Sequence, residues 1–455
     1  MSYTEQIFTL SSFATDLEMR LGKPVADAAR FWNAMRFFGL GAQSENLEAV
    51  SEKPAPVVPA AEEMKSTESA SYGSGAPVAA KQAPAAPISP KTWRTVDCHF
   101  HLFDFSQKSC GTAASLRALD DALCDKAVLL GIPCCKKWNR NQKERPLFYT
   151  DDNGPCYVYA YADQMLADAW LALPYEGRRR LAPMLAGFDP TDLNAINHVK
   201  RMYEKYPRLW RGLGEVMCRH DDLTSTLLNK EVPRPNHPAM LPIYEFCCEK
   251  GLPVIVHSNA DRVGTDHDVF AYEHEVAEVL EKFPSLVFVW CHAGVSRRTS
   301  QSNQHELFDR MMTKYSNLQV DISWVVWEEV MLDKDSVVKD VWVSLIEKFS
   351  DRVTIGSDNT GQFWSMPGLA KNTMKSQIVK YWQLFDRLSP EAARRVAYMN
   401  GEDAYFKNWD VPREDDADAR YQQLPQCYPC EFLDTTGREY IPGTQASSFP
   451  EDAYF

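Results

Sequence analysis

A (β/α)8 barrel, the TIM-barrel form of the α/β class, is the fold this sequence predicts, and three observations lead to it. Between residues 93 and 410, apolar strand-like runs alternate with amphipathic helical stretches, the pattern of parallel α/β architecture. Eight such units fit that span, the number a closed barrel needs. Four of the runs end in His or Asp, and the functional residues of a barrel sit at the C-terminal ends of its strands. A doubly wound open sheet is the alternative, but no Gly-rich phosphate fingerprint follows an early strand.

Residues 1–50 read as a helical extension. Ile7, Phe8, Leu10, Phe13, Leu17 and Leu21 recur at loosely helical spacing, and a second segment carrying Phe31, Trp32, Phe37 and Phe38 stops near Gly39 and Gly41. Its aromatic side is expected to dock on the main domain or on a partner subunit, because its polar residues are not basic enough for a membrane-surface helix. Residues 51–92 form an Ala/Pro-rich linker, as in Lys53-Pro-Ala-Pro-Val-Val-Pro59. Such a stretch buries too little apolar surface to offset its ordering and is expected to be disordered.

Within the barrel segment, 93–410, the predicted strands are 94–101, 126–132, 182–188, 211–217, 252–257, 286–292, 318–323 and 352–357. Amphipathic helices are predicted between them, for example over 192–203 and 272–283. Residues 411–455 return to loop composition as a C-terminal tail. Cys427-Tyr-Pro-Cys430 lacks a second pair and is read as part of that tail. Glu-Asp-Ala-Tyr-Phe occurs at 402–406 and again at 451–455, for which we have no physical account.

The formal charge of -13 argues against nucleic acid or an anionic membrane as a partner. No apolar run approaches the ~20 residues that cross a bilayer. Glu5, Asp16 and Glu18 leave no basic leader region, so a secretory signal is not expected. The twelve cysteines are scattered, and Cys98 and Cys291 fall inside predicted strands, which suits reduced thiols and a cytoplasmic protein.

The chemistry centres on Thr95-Val-Asp-Cys-His-Phe-His-Leu102. Alternate residues of a strand share a face, so His99 and His101 project together and can share a metal ion. Pro253-Val-Ile-Val-His257, Val287-Phe-Val-Trp-Cys-His292 and Val353-Thr-Ile-Gly-Ser-Asp358 are the other runs that end in a metal-competent residue. Zinc takes imidazole and carboxylate ligands, and catalytic sites keep a position open for water. His99, His101, His257 and Asp358 would supply such a set, and the pKa of bound water falls toward ~7 on such a metal. Asp358 is placed to take that water's proton and pass it on. His292 could ligate a second ion or act unligated as an acid.

Glu215 ends the fourth predicted strand. It could ligate a metal, stand behind a ligating histidine, pair with Arg211 or Arg219, or hold His220. His220 is a candidate substrate contact. Arg262, Arg297 and Arg298 follow strands five and six and could grip a substrate carboxylate. Trp324 and Trp327 could wall a substrate or pack the core. His198, His267, His274 and His305 are expected at the solvent-facing or terminal parts of helices and loops, and His237 in a loop.

The set Asp97-x-His99-x-His101, Leu252-Pro-Val-Ile-Val-His257, His292-Ala-Gly294 and Ile355-Gly-Ser-Asp358 resembles the amidohydrolase superfamily, and within it the amidohydrolase-related group of metal-dependent hydrolases and nonoxidative decarboxylases. Val396–Phe406 is similar to that family's last helix, and the likeness covers roughly 94–408. The resemblance implies a metal-binding barrel with His99, His101, His257 and Asp358 in ligand positions and His292 at the second histidine site. It also implies that a carboxylate at the position of Glu215 bridges two metals in binuclear members, where mononuclear decarboxylase-like members often lack one.

The sequence is therefore expected to encode a metal-dependent hydrolase that uses a metal-activated water on a small carboxylated substrate. The cofactor is one or two divalent ions, zinc first and manganese second. A metal-dependent nonoxidative decarboxylase or hydratase of an aromatic or unsaturated acid is the alternative enzyme. A catalytically silent scaffold barrel is the alternative of another class, and a scaffold has no physical need for converging metal-competent residues. A homo-oligomer is compatible with the sequence.

Overall fold

The computed structural model describes residues 93–416 except 147–148, 150–153, 221, 224–230, 263–269, 299–301 and 361–372. All of them belong to one compact unit, Ala80–Phe455. The expected helical extension and linker, the tail from 417 onward with its Cys-x-x-Cys and second Glu-Asp-Ala-Tyr-Phe, and His267 lie outside the described residues.

Eight parallel strands form the frame: β1 (Thr95–His101), β2 (Cys124–Leu130), β3 (Leu181–Pro183), β4 (Leu213–Met217), β5 (Val254–His257), β6 (Phe288–Trp290), β7 (Leu318–Asp321) and β8 (Val353–Thr354). They pair in sequence order as a three-stranded sheet, β1 to β3, and a five-stranded sheet, β4 to β8. Backbone hydrogen bonds join the two sheets at both seams. Leu185 and Leu213 form a parallel bridge, with the Gly214 N–H donating to the Leu185 carbonyl at 2.9 Å. Across the other seam the Cys98 N–H meets the Ile355 carbonyl (2.9 Å), the Asp358 N–H meets the His99 carbonyl (2.8 Å), and the His101 N–H meets the Asn359 carbonyl (2.9 Å). The eight strands thus close into the (β/α)8 barrel that the alternating pattern predicts.

Each strand is followed by at least one helix, among them Ala195–Lys205, Glu273–Lys282 and Gln304–Lys314. Their apolar stripes, such as Val276, Val279 and Leu280, pack against the outward faces of the strands in the main core. A second buried cluster, including Val128, Leu130, Met184, Ile255 and Val289, is the alternate set from the same strands and fills the barrel, with Tyr405 and Phe406 of the last helix packed against it. A hairpin absent from the sequence reading pairs Cys134–Lys136 with Cys156–Val158. Among the described residues no helix is long and apolar enough to cross a membrane.

Candidate metal centre

The ends of the strands bring four histidines and three carboxylates together. His99, His101, His257, His292, Glu215 and Asp321 are each at most 3% exposed, so water does not screen their charges. The Nε2 atoms of His99 and His101 lie 3.2 Å apart. Glu215 stands between two histidine pairs. Its Oε2 is 3.2 Å from His101 Nε2 and 3.5 Å from His99 Nε2, while its Oε1 is 2.9 Å from His257 Nδ1 and 3.4 Å from His292 Nε2. Asp358 Oδ1 closes the first group at 3.4 Å from His101 Nε2 and 3.5 Å from His99 Nε2.

Local backbone explains these positions. Gly356 lets the chain after β8 run against β1, since a Cβ there would lie 2.5 Å from His99 Cβ. Gly214, at a φ of +135°, seats the residue before Glu215 where a Cβ would lie 2.6 Å from Ile255 Cβ. β6 ends at Trp290 and turns through Cys291–Gly294, where His292 (φ 55°) and Ala293 (φ 50°) take left-handed conformations. Such residues cost ~1–3 kcal/mol each and persist only when their surroundings hold them. Here the His292 N–H meets Asp321 Oδ1 at 3.3 Å and the Gln304 amide bonds the Ala293 carbonyl. His292 therefore sits in a turn rather than on the strand end that the sequence predicts. Asp358 likewise lies four residues past β8, at a φ of 49°.

Outer partners hold the rings. His101 Nδ1 donates to the Gly131 carbonyl at 3.0 Å, His257 Nε2 faces Asn259 Oδ1 at 3.1 Å, and His99 Nδ1 lies 3.2 Å from Asp321 Oδ2. Burial opposes charging of His99 and His101, but carboxylates outweigh it and raise both: Glu215 and Asp321 around His99, and Asp358 and Glu215 around His101. For His292 burial is again outweighed, chiefly by Asp321 and then by Glu215, which lifts the imidazole to about 9. Burial would raise Glu215 and Asp321, yet the surrounding histidines hold both well below the usual carboxylate range. The centre thus draws in positive charge.

Among the described residues, three overlapping groups in it bring possible ligand atoms within 4.8 Å of one another: His99 with His101 and Glu215, Glu215 with His257 and His292, and His99 with Cys291 and His292. The fit to a metal follows from the donor set. With His101 Nδ1 bound to a carbonyl, which only accepts, the lone pair of a neutral His101 lies on Nε2, facing His99 Nε2 at 3.2 Å and the Glu215 carboxylate. A cation between these groups removes the repulsion.

Aromatic rings pack against the histidines. Trp324 lies 5.0 Å from the His292 ring and 5.6 Å from the His257 ring, and His220 stacks on His257 at 4.5 Å. Burial holds His220 well below the usual histidine range, and His257 adds to the effect. The guanidinium of Arg297 lies 4.7 Å from the Trp324 ring and 5.6 Å from the Tyr149 ring, with Nε 3.9 Å from Asp222 Oδ2.

The other expectations divide. Arg298 is committed to Asp222, and Arg262 stands exposed after β5. Arg211 bonds the Tyr405 carbonyl and Arg219 pairs with Glu275, so neither is the partner of Glu215. Trp327 packs in the core against Tyr381. His198 is not simply solvent-facing, because its Nε2 reaches buried Asp163 at 2.8 Å. His237 is a loop residue as expected, but a buried one, 3.0 Å from Glu231. Asp321 was not singled out from the sequence, although Leu318-Gln-Val-Asp321 is another apolar run ending in a carboxylate.

The sequence profile of the amidohydrolase family matches residues 96–407. A comparison with curated proteins gives no match. Among solved structures, the chain is similar to an uncharacterized TIM-barrel protein from Bordetella bronchiseptica, with 14% identity, a TM-score of 0.41, and coverage of 69% of this chain and 98% of that one. It is also similar to a zinc-bound amidohydrolase from Burkholderia multivorans (11% identity, TM-score 0.40, 70% and 100% covered). A third is 4-oxalomesaconate hydratase from Rhodopseudomonas palustris (12% identity, TM-score 0.39, 68% and 95% covered).

Proposed function

Because the chain belongs to the amidohydrolase family, we propose that it is a metal-dependent hydrolase that cleaves a bond of a small carboxylated substrate with water. The observation that carries this reading is the position of Glu215, one carboxylate oxygen toward His99 and His101 and the other toward His257 and His292. In this reading His99, His101 and Asp358 would hold one divalent ion and His257 and His292 a second, with Glu215 as a ligand available to either, and zinc or manganese would be the metal. Bound there, such ions supply Lewis acidity at neutral pH.

The chain's own residues do the rest. Asp358 is 18% exposed where Glu215 and Asp321 are at most 2%, so it is the carboxylate that can meet water and substrate together. It takes a proton from the attacking water and returns it to the leaving group, a role worth ~10²–10⁴-fold. Arg297, braced by Trp324 and Tyr149, holds the substrate carboxylate, and the Trp324 ring excludes water between that anchor and the histidines.

The test is product analysis in 18O-labelled water. Metal-loaded protein is given a panel of carboxylated esters, lactones and amides, together with unsaturated and aromatic acids. One 18O in the product acid, lost in His99→Ala, supports hydrolysis. Release of carbon dioxide, or hydration of a double bond without cleavage, would replace this reading with the lyase one. No metal uptake together with no turnover of any member would favour a silent scaffold.

A further inference from the structure

Asp321, at the end of β7, touches both halves of the centre. Its Oδ2 lies 3.2 Å from His99 Nδ1. Its Oδ1 accepts from the backbone N–H of Ser323 at 3.0 Å and of His292 at 3.3 Å, and from the Ser323 hydroxyl. Ser323 Oγ in turn lies 2.8 Å from His292 Nδ1, which is itself 3.5 Å from Asp321 Oδ1, the longer of its two approaches. All four residues are buried, so these bonds do not exchange with bulk water.

Proton counting fixes the direction of each bond. An ionised carboxylate only accepts, so His99 Nδ1 carries the hydrogen between it and Asp321. Ser323 has one hydroxyl proton, and the carboxylate takes it. The Ser323 oxygen can then only accept from His292, so His292 Nδ1 carries a hydrogen as well. Once each ring gives up its second proton, as metal binding requires, the lone pair is left on Nε2, and each Nε2 faces Glu215, at 3.5 Å for His99 and 3.4 Å for His292.

We infer that Asp321 is a positioning residue that sets the tautomers of His99 and His292 together, the first directly and the second through Ser323, and so couples the two halves of the metal centre. The inference rests on the two-ion reading above and adds the residue on which both ions depend. It distinguishes the two links: loss of the Ser323 hydroxyl loosens only His292, which keeps just its 3.5 Å approach to Asp321, whereas loss of the Asp321 charge releases both rings.

Metal-stripped wild type, Asp321→Asn and Ser323→Ala are titrated with Zn²⁺ against a chromophoric chelator, with thermal unfolding followed in parallel. Asp321→Asn is expected to weaken both ions by ~10–100-fold, while Ser323→Ala weakens one by that factor and leaves the other within about twofold. A general loss of packing would not separate the ions in this way. If Asp321→Asn does not fold, the selective effect of Ser323→Ala decides the matter alone. Two ions in the wild type with unchanged affinities in the variants would overturn the inference and leave the two-ion reading standing. So would equal weakening of both ions in Ser323→Ala. A wild type that takes up fewer than two ions removes the two-ion reading and this inference with it.

Discussion

The Nε2 atoms of His99 and His101 lie 3.2 Å apart, each ring turned inward by an acceptor behind its Nδ1. Two imidazole nitrogens that close need a cation between them, and the choice is a proton or a metal. Metal binding is therefore expected to release protons and to strengthen as pH rises. Calorimetric Zn²⁺ titrations in buffers of different ionisation enthalpy measure the number released. A pH-independent affinity would contradict the competition.

The same competition sets the stability of the metal-free protein. Asp321 and Glu215, working against burial, lift His292 to about 9, compared with ~6.5 in an unfolded chain. A raised pKa means that the folded state binds the proton more tightly. The resulting stabilisation is complete below pH ~6.5 and is lost as pH rises through about 9, a change of about 3 kcal/mol. Urea unfolding of metal-free protein between pH 6 and 10 is expected to show this decline, and metal-loaded protein to show much less of it. Equal slopes for the two forms would count against the assignment.

Gly356 is a packing constraint on His99. A Cβ there would lie 2.5 Å from His99 Cβ and 3.0 Å from Ser323 Cβ. Gly356→Ala is expected to cost ~1–3 kcal/mol of stability by overpacking. It should also weaken metal binding, because His99 is what must move. Unchanged urea midpoint and Zn²⁺ affinity would show that the chain after β8 yields without disturbing the histidines.

Arg297 is set apart from the buried histidines by the Trp324 ring. Arg297→Ala is expected to raise KM for a carboxylated substrate by ~10–100-fold, the loss of one charge-assisted hydrogen bond. Metal content should be unaffected, and Arg297→Lys should recover only part of the loss because it lacks the planar fork. An unchanged KM would remove Arg297 as the anchor.

Much of this architecture was legible in the sequence for a physical reason. Barrel strands are buried on both faces, so each reads as an apolar run, and all eight predicted runs overlap an observed strand. Asp321 carries the signature that picked out Asp358, an apolar run ending in a carboxylate, but its run continues through Ile322 and hid the strand end. The kink that turns His292 inward is set by Asp321 and Gln304, contacts remote in sequence that no local pattern encodes. The Cys134–Lys136 and Cys156–Val158 hairpin is too short, at three residues a strand, for alternation to show. Trp324 and Trp327 read alike in sequence, and only the chain's path after β7 sends one to the histidines and the other to the core.

If Glu215 holds two ions through its two oxygens, elemental analysis of purified wild type and Glu215→Gln separates the two proteins. Plasma mass spectrometry is expected to find about two divalent transition-metal ions per wild-type chain and at most one in the variant, with turnover lowered at least tenfold. Two ions retained in Glu215→Gln, or none in the wild type after zinc or manganese is added back, would show that Glu215 does not hold a metal pair.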